Sequence, residues 1–132
     1  MPKISKIVSL PLLLLACVAC SQENPKILPG QLAGFWTTDE ARYADCFLEL
    51  DKVYVIIGAG RQVAPSVQVI DRVEAVPAGR ETIYTIHSTD LQGVEYRLRF
   101  QFSPINGGEL QLSNQQGIVW RRHADEGEAR EK

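Results

Sequence analysis

The chain has 132 residues, with 14 Lys and Arg against 16 Asp and Glu, 45% hydrophobic residues and 23% charged ones. That is the size of one small domain, too apolar to stay disordered, and three cysteines are too few for a disulfide scaffold. A net charge of −2 offers no basic footprint for a nucleic acid.

The N-terminus reads as an address. Lys3 and Lys6 supply a positive start, and Ile7 to Ala19 follows with hardly a polar side chain. That run of about 13 residues is shorter than the roughly 20 that span a bilayer as a helix. It exits through Ala16-Cys17-Val18-Ala19-Cys20 and turns polar at Ser21. The exit resembles a bacterial lipoprotein signal, in which a small residue precedes a cysteine that is lipidated and becomes the new first residue. The resemblance implies a signal peptide over 1–19 and lipid on Cys20, where polar sequence begins at once. Cys17, after Leu14-Leu15-Ala16, is the alternative. An ordinary secretory signal cut nearby is another. Ser21, not Asp, follows Cys20, which in the Gram-negative sorting pattern implies an outer-membrane anchor facing the periplasm. Removing 1–19 leaves 12 basic against 16 acidic residues, so the lipid and not the protein surface must hold the membrane.

Residues 20–31 then form a lipidated cysteine and flexible tether, with Pro25 and Pro29-Gly30 as spacer chemistry. Cys46 reads as a small buried hydrophobe in a strand. Were Cys17 the lipidated residue, Cys20 and Cys46 could pair instead.

From Leu32 to Arg122 the hydrophobic period is two. The clearest strand is Val94 to Phe102, where Val94, Tyr96, Leu98, Phe100 and Phe102 alternate with Glu95, Arg97, Arg99 and Gln101. The other strands are predicted at Phe35 to Thr38, Cys46 to Leu50, Val53 to Ile57, Val67 to Val76, Thr82 to Ser88, Leu110 to Ser113 and Ile118 to Arg122. Turn chemistry separates them: Asp51-Lys52, Gly58-Ala59-Gly60, Pro77-Ala78-Gly79, Asp90 to Gly93, Asn106-Gly107-Gly108 and Asn114 to Gly117. Thr38 to Ala44 is the one helix-like stretch, one or two turns long, with Thr38 or Asp39 as cap. A charged disordered tail is expected over 123–132.

An all-β meander of this size must hide an apolar face and two edges, and closing into a small antiparallel eight-stranded barrel does both. An open β-sandwich is the alternative. Gly34-Phe35-Trp36 starts the first strand and Trp120-Arg121-Arg122 ends the last. This pattern resembles the lipocalin and calycin superfamily, where a Gly-x-Trp packs near a basic residue of the last strand and closes the barrel floor. The resemblance implies a structural pair of Trp36 with Arg121, or with Arg122 as second choice.

No catalytic constellation stands out. Gly58-Ala59-Gly60 lacks a third glycine and the Lys-Ser/Thr of a phosphate loop. No His, Cys, Asp and Glu set has metal-ligand spacing, and the acids Glu40, Asp45, Glu49 and Asp51 read as a solvated face. Arg97 and Arg99 could hold an anion, but Glu95 beside them suggests a mixed outer surface. Tyr54, Tyr84, Tyr96 and Phe100, with His87, could line a pocket in which tyrosine hydroxyls fix orientation. The sequence therefore predicts a non-enzymatic, cofactor-free envelope lipoprotein. It would touch the membrane through its N-terminal lipid and bind a small apolar ligand or lipid. The alternative is a protein-interaction, structural or inhibitor-type lipoprotein with a filled barrel and an envelope protein as partner.

Overall fold

The structure is a computed structural model and describes residues 26–123. The signal peptide, Cys17, Cys20, the start of the tether and the tail after His123 lie outside the described residues. Eight strands follow in chain order: β1 Gly34–Thr38, β2 Cys46–Leu50, β3 Tyr54–Ala59, β4 Ser66–Ala78, β5 Glu81–Asp90, β6 Glu95–Ser103, β7 Glu109–Leu112 and β8 Trp120–Arg122. Each pairs antiparallel with the next, and β8 returns to β1 through Trp36–Arg122, Thr37–Arg121 and Thr38–Trp120. The sheet is a closed meander barrel, so the sandwich alternative falls away and each described strand is paired on both sides.

Alternation sends one set of side chains inward. Trp36, Leu48, Leu50, Val55, Ile70, Tyr84, Ile86, Phe100, Phe102, Leu110 and Trp120 are all buried in one cluster. At about 25 cal/mol per Å² of apolar surface, this shared lining is the main stabilising force of the barrel.

Several boundaries differ from the sequence reading. Leu28 is 2% exposed, as buried as Leu32 at 0%, so the domain takes in part of the 20–31 segment that the spacer chemistry of Pro29-Gly30 suggested was tether. A 3-10 turn at Gly30–Leu32 folds this strap back under the barrel. Gly58 and Ala59 belong to β3 and not to a turn. Gly58 pairs with Phe47, and a Cβ there would lie 2.1 Å from the Phe47 ring, so the missing side chain makes room for that ring. Pro77 pairs with Thr82 inside the β4–β5 hairpin, and Gly79, with φ of 73°, makes the tight reversal. The helix-like stretch is a single 3-10 turn at Ala41–Tyr43 whose cap is Glu40.

β4 breaks the simplest pattern rule. Val67 and Val69 alternate with Gln68, yet Gln68 is 2% exposed and both valines face out. Ser88 donates to Gln68 Oε1 at 2.7 Å, and Gln68 Nε2 donates to Ser66 at 2.9 Å, which satisfies the buried amide. A bulge between Ile70 and Arg72 then resets the register, so that Val73 lies opposite the inward Ile86.

Candidate functional site: a plugged floor and an apolar mouth

The floor is sealed by a cation over an indole. The Arg122 guanidinium lies 4.5 Å from the centre of the Trp36 ring. It donates to the carbonyls of Ala33 at 3.2 Å, Gly107 and Gln31. Trp36 Nε1 donates to the Leu32 carbonyl at 3.1 Å, and Gln31 Nε2 to the Tyr84 hydroxyl at 2.8 Å. One side chain thus ties the strap, the β6–β7 loop and β1 together. Burial lowers the pKa of Arg122, but a guanidinium remains charged in proteins.

The expected first partner of Trp36 was Arg121, and the structure places Arg122 there. Side chains on a strand alternate, so residue 122 shares the inward parity of Trp120 and residue 121 does not. Arg121 points out and pairs with Glu109 at 3.2 Å. Gly34 belongs to the same seal: its φ of 148° and the Arg122 side chain 2.9 Å from a would-be Cβ both demand glycine.

The expected aromatic pocket is divided by the barrel wall. Tyr84 and Phe100 are buried inside, ring centres 5.7 Å apart, as part of the filled core. Tyr54 lies on the outer face, where its hydroxyl bonds Asp51, which raises the phenol pKa and helps lower that of the carboxyl after the Lys52 N–H. Tyr96 is 40% exposed and donates to Asp90 Oδ2 at 2.9 Å. His87 stands on the outer wall, 3.1 Å from Arg72 Nη2 and 3.5 Å from Glu74. These three follow the opposite parity or lie past the closed rings, so they line no common cavity with Tyr84 and Phe100.

Open space inside the wall lies at the end opposite the floor. An apolar cavity of about 190 Å³ opens there, lined among others by Tyr43, Cys46, Ile57, Leu98, Leu112 and Trp120. Cys46, the first residue of β2, pairs with no other cysteine among the described residues and packs half-buried against the core, while its alternative partner Cys20 lies outside the described residues. Trp120 stands in the wall with its ring nitrogen donating to Gln115 at 2.9 Å, and Tyr43 leans over it at 6.1 Å between ring centres. The sequence reasoning named Cys46 and Trp120 but not this mouth, because Tyr43, Ile57, Leu98 and Leu112 carry no chemistry that marks them. No family model matches the chain, and neither does any curated protein or solved structure.

Proposed function

We propose that this is a lipid-anchored envelope protein that binds the apolar end of a small molecule or lipid in the barrel mouth, without catalysis. The carrying observation is the 190 Å³ apolar mouth at one end of an otherwise filled barrel. A dry cavity of about 150 Å³ already holds a benzene ring, so this one suits a single ring or the last carbons of an acyl chain. Burying about six methylenes yields roughly 5 kcal/mol, which corresponds to a sub-millimolar Kd. The anchor rests on the residues around Cys20, and an outer-membrane, periplasm-facing position rests on Ser21. The Trp36–Arg122 seal supports the lipocalin-like reading.

The test uses the two tryptophans separately. In a Trp36→Phe background, Trp120 at the mouth is the only indole left. Titrating octanoate or indane should shift its emission and saturate, and Leu98→Phe should fill the cavity and abolish the shift. An emission unchanged at millimolar probe, or equal binding by the filled variant, overturns the reading.

A second reading has its own observation. The outer wall of β1–β4 carries Phe35 stacked on Phe47 at 4.9 Å, with Ile56 paired to Val67 and Tyr54 to Val69. Val67 and Val69 are 40% and 50% exposed, which favours a protein partner on that wall. Crosslinking in intact envelopes from probes on Val67 and Val69 separates the two, because a mouth ligand leaves this wall bare.

A further inference from the structure

The outer wall of β5–β7 is chemically unlike that of β1–β4. A groove of about 560 Å³ runs there between the β6–β7 face and the loop before β8, within the range of ordinary ligand sites. Three carboxamides line it, Gln101, Gln111 and Gln116, together with Arg99 and the hydroxyl of Ser113. Ile83 supplies an apolar edge, and no carboxylate is among the lining residues, although Glu81 accepts from the Gln101 amide. Gln101 and Gln111 are directly opposite in the β6–β7 register, so their amides stand side by side.

The charge here is out of keeping with an acidic chain. Among the described residues, neither Arg97 nor Arg99 has an ion-pair partner; Arg72 and His87 share Glu74, and Arg121 takes Glu109. Arg97 lies opposite His87 and Arg99 opposite Thr85, which puts both guanidinium groups on one outer face at the end of the row of amides. Glu95, the neighbour that suggested a mixed surface, is not among the groove residues.

We propose that this groove binds a carboxylate-bearing oligosaccharide. Arg99 takes the carboxylate, since a guanidinium fork matches that group. The Gln111 and Gln116 amides each offer a donor and an acceptor at one planar end, which suits vicinal hydroxyls, while the Gln101 amide donates to Glu81 and keeps its oxygen as an acceptor. Ile83, which has the outward parity, meets the C–H face of a sugar ring. A peptide is the poorer fit, because strand addition needs a free edge and β5, β6 and β7 are each paired on both sides.

The experiment is an amide NMR titration of the full barrel with trigalacturonate, with maltotriose as the neutral arm and a triglutamate peptide as the peptide arm. Trigalacturonate should give saturable shifts confined to residues around 99, 101, 111 and 113–117. Arg99→Gln should weaken it about tenfold with the melting temperature unchanged. Gln111→Ala should weaken trigalacturonate and leave octanoate at the mouth untouched. Absence of saturable shifts at millimolar trigalacturonate overturns the proposal. So does equal binding of maltotriose or triglutamate, or an Arg99→Gln variant that binds as tightly as the parent.

Discussion

Each end of the barrel presents one tryptophan, and the two are used differently. Trp36 is fully buried, roofed by Arg122, and its ring nitrogen is spent on the strap. Trp120 is buried too, but Tyr43 and a 190 Å³ opening adjoin it, and its ring nitrogen is held by a loop glutamine. The difference arises from the segments that cover the two ends. At the floor, Leu28 and Leu32 swing under the barrel and fill it. At the mouth, the Ala41–Tyr43 turn covers part of the opening and brings no buried residue of its own. A small barrel can therefore put its rigidity at one end and keep its free space at the other.

The largest test of that division truncates one side chain at each end. Trp36→Ala should cost about 3–5 kcal/mol in urea unfolding, because it removes a fully packed indole and leaves Arg122 over a void. Leu98→Ala at the mouth should cost roughly 1–2 kcal/mol, since it enlarges a space that is already open. Equal costs would mean that the mouth is as tightly packed as the floor.

Arg122 and Arg121 sharpen the comparison within one strand. Arg122→Ala removes the cation–π contact, about 0.5–2 kcal/mol, and strands carbonyls of the strap and of the β6–β7 loop, for a total of about 2–4 kcal/mol. Arg121→Ala breaks one exposed pair and should stay within about 0.5 kcal/mol. Hydrogen exchange at Leu32 and Ala33, whose N–H groups bond Pro29 and Gly30, should rise only in the Arg122 variant.

Gly58→Ala comes next. The new methyl would overlap the Phe47 ring, so the ring must leave its stack on Phe35, at about 1–3 kcal/mol. The overlap lies on the outer wall, so octanoate binding at the mouth and Trp36 emission should both stay constant.

These residues also mark what the sequence makes legible. The strands were readable because inward and outward residues alternate through β5 to β7 with few exceptions. Closure was readable because a meander has two edges to hide. The choice between Arg121 and Arg122 was open to parity alone, once Trp120 is taken as inward. The pocket reading failed for a related reason: it gathered tyrosines by type, when Tyr54 and Tyr84 stand on opposite sides of the wall. Other features had no local signal. Gln68 turns inward because Ser66 and Ser88 await it, and those partners are fixed by strand pairing and not by neighbours in the chain. The strap was hidden because Lys26 to Gln31 has no period. Leu28 is buried only because the barrel floor happens to be above it. The mouth and the β5–β7 groove are spaces between elements, and a space has no residue to announce it.

The smallest effect separates the two ends by pH. The β5–β6 turn projects on the mouth side, and Asp90 organises it. Asp90 accepts from the N–H groups of Val94 and Gln92 at 2.9 Å each and from the Tyr96 hydroxyl. These bonds, that of Val94 foremost, hold its carboxyl below the ordinary 3.8. On acidification the unfolded chain takes up this proton before the folded turn does. The turn's contribution is therefore complete above about 3.8 and is lost as the pH falls through the lower folded value. At the floor, Arg122 contacts an indole and backbone carbonyls, none of which titrates. Lowering the pH from 5 to about 2 should thus shift the amides of Gln92 and Val94 while those of the strap hold still. Asp90→Asn should flatten that acid response at the turn alone. Strap amides that move together with the turn would show that the two ends are one cooperative unit, and that the floor lends the mouth its stability across the whole length of the barrel.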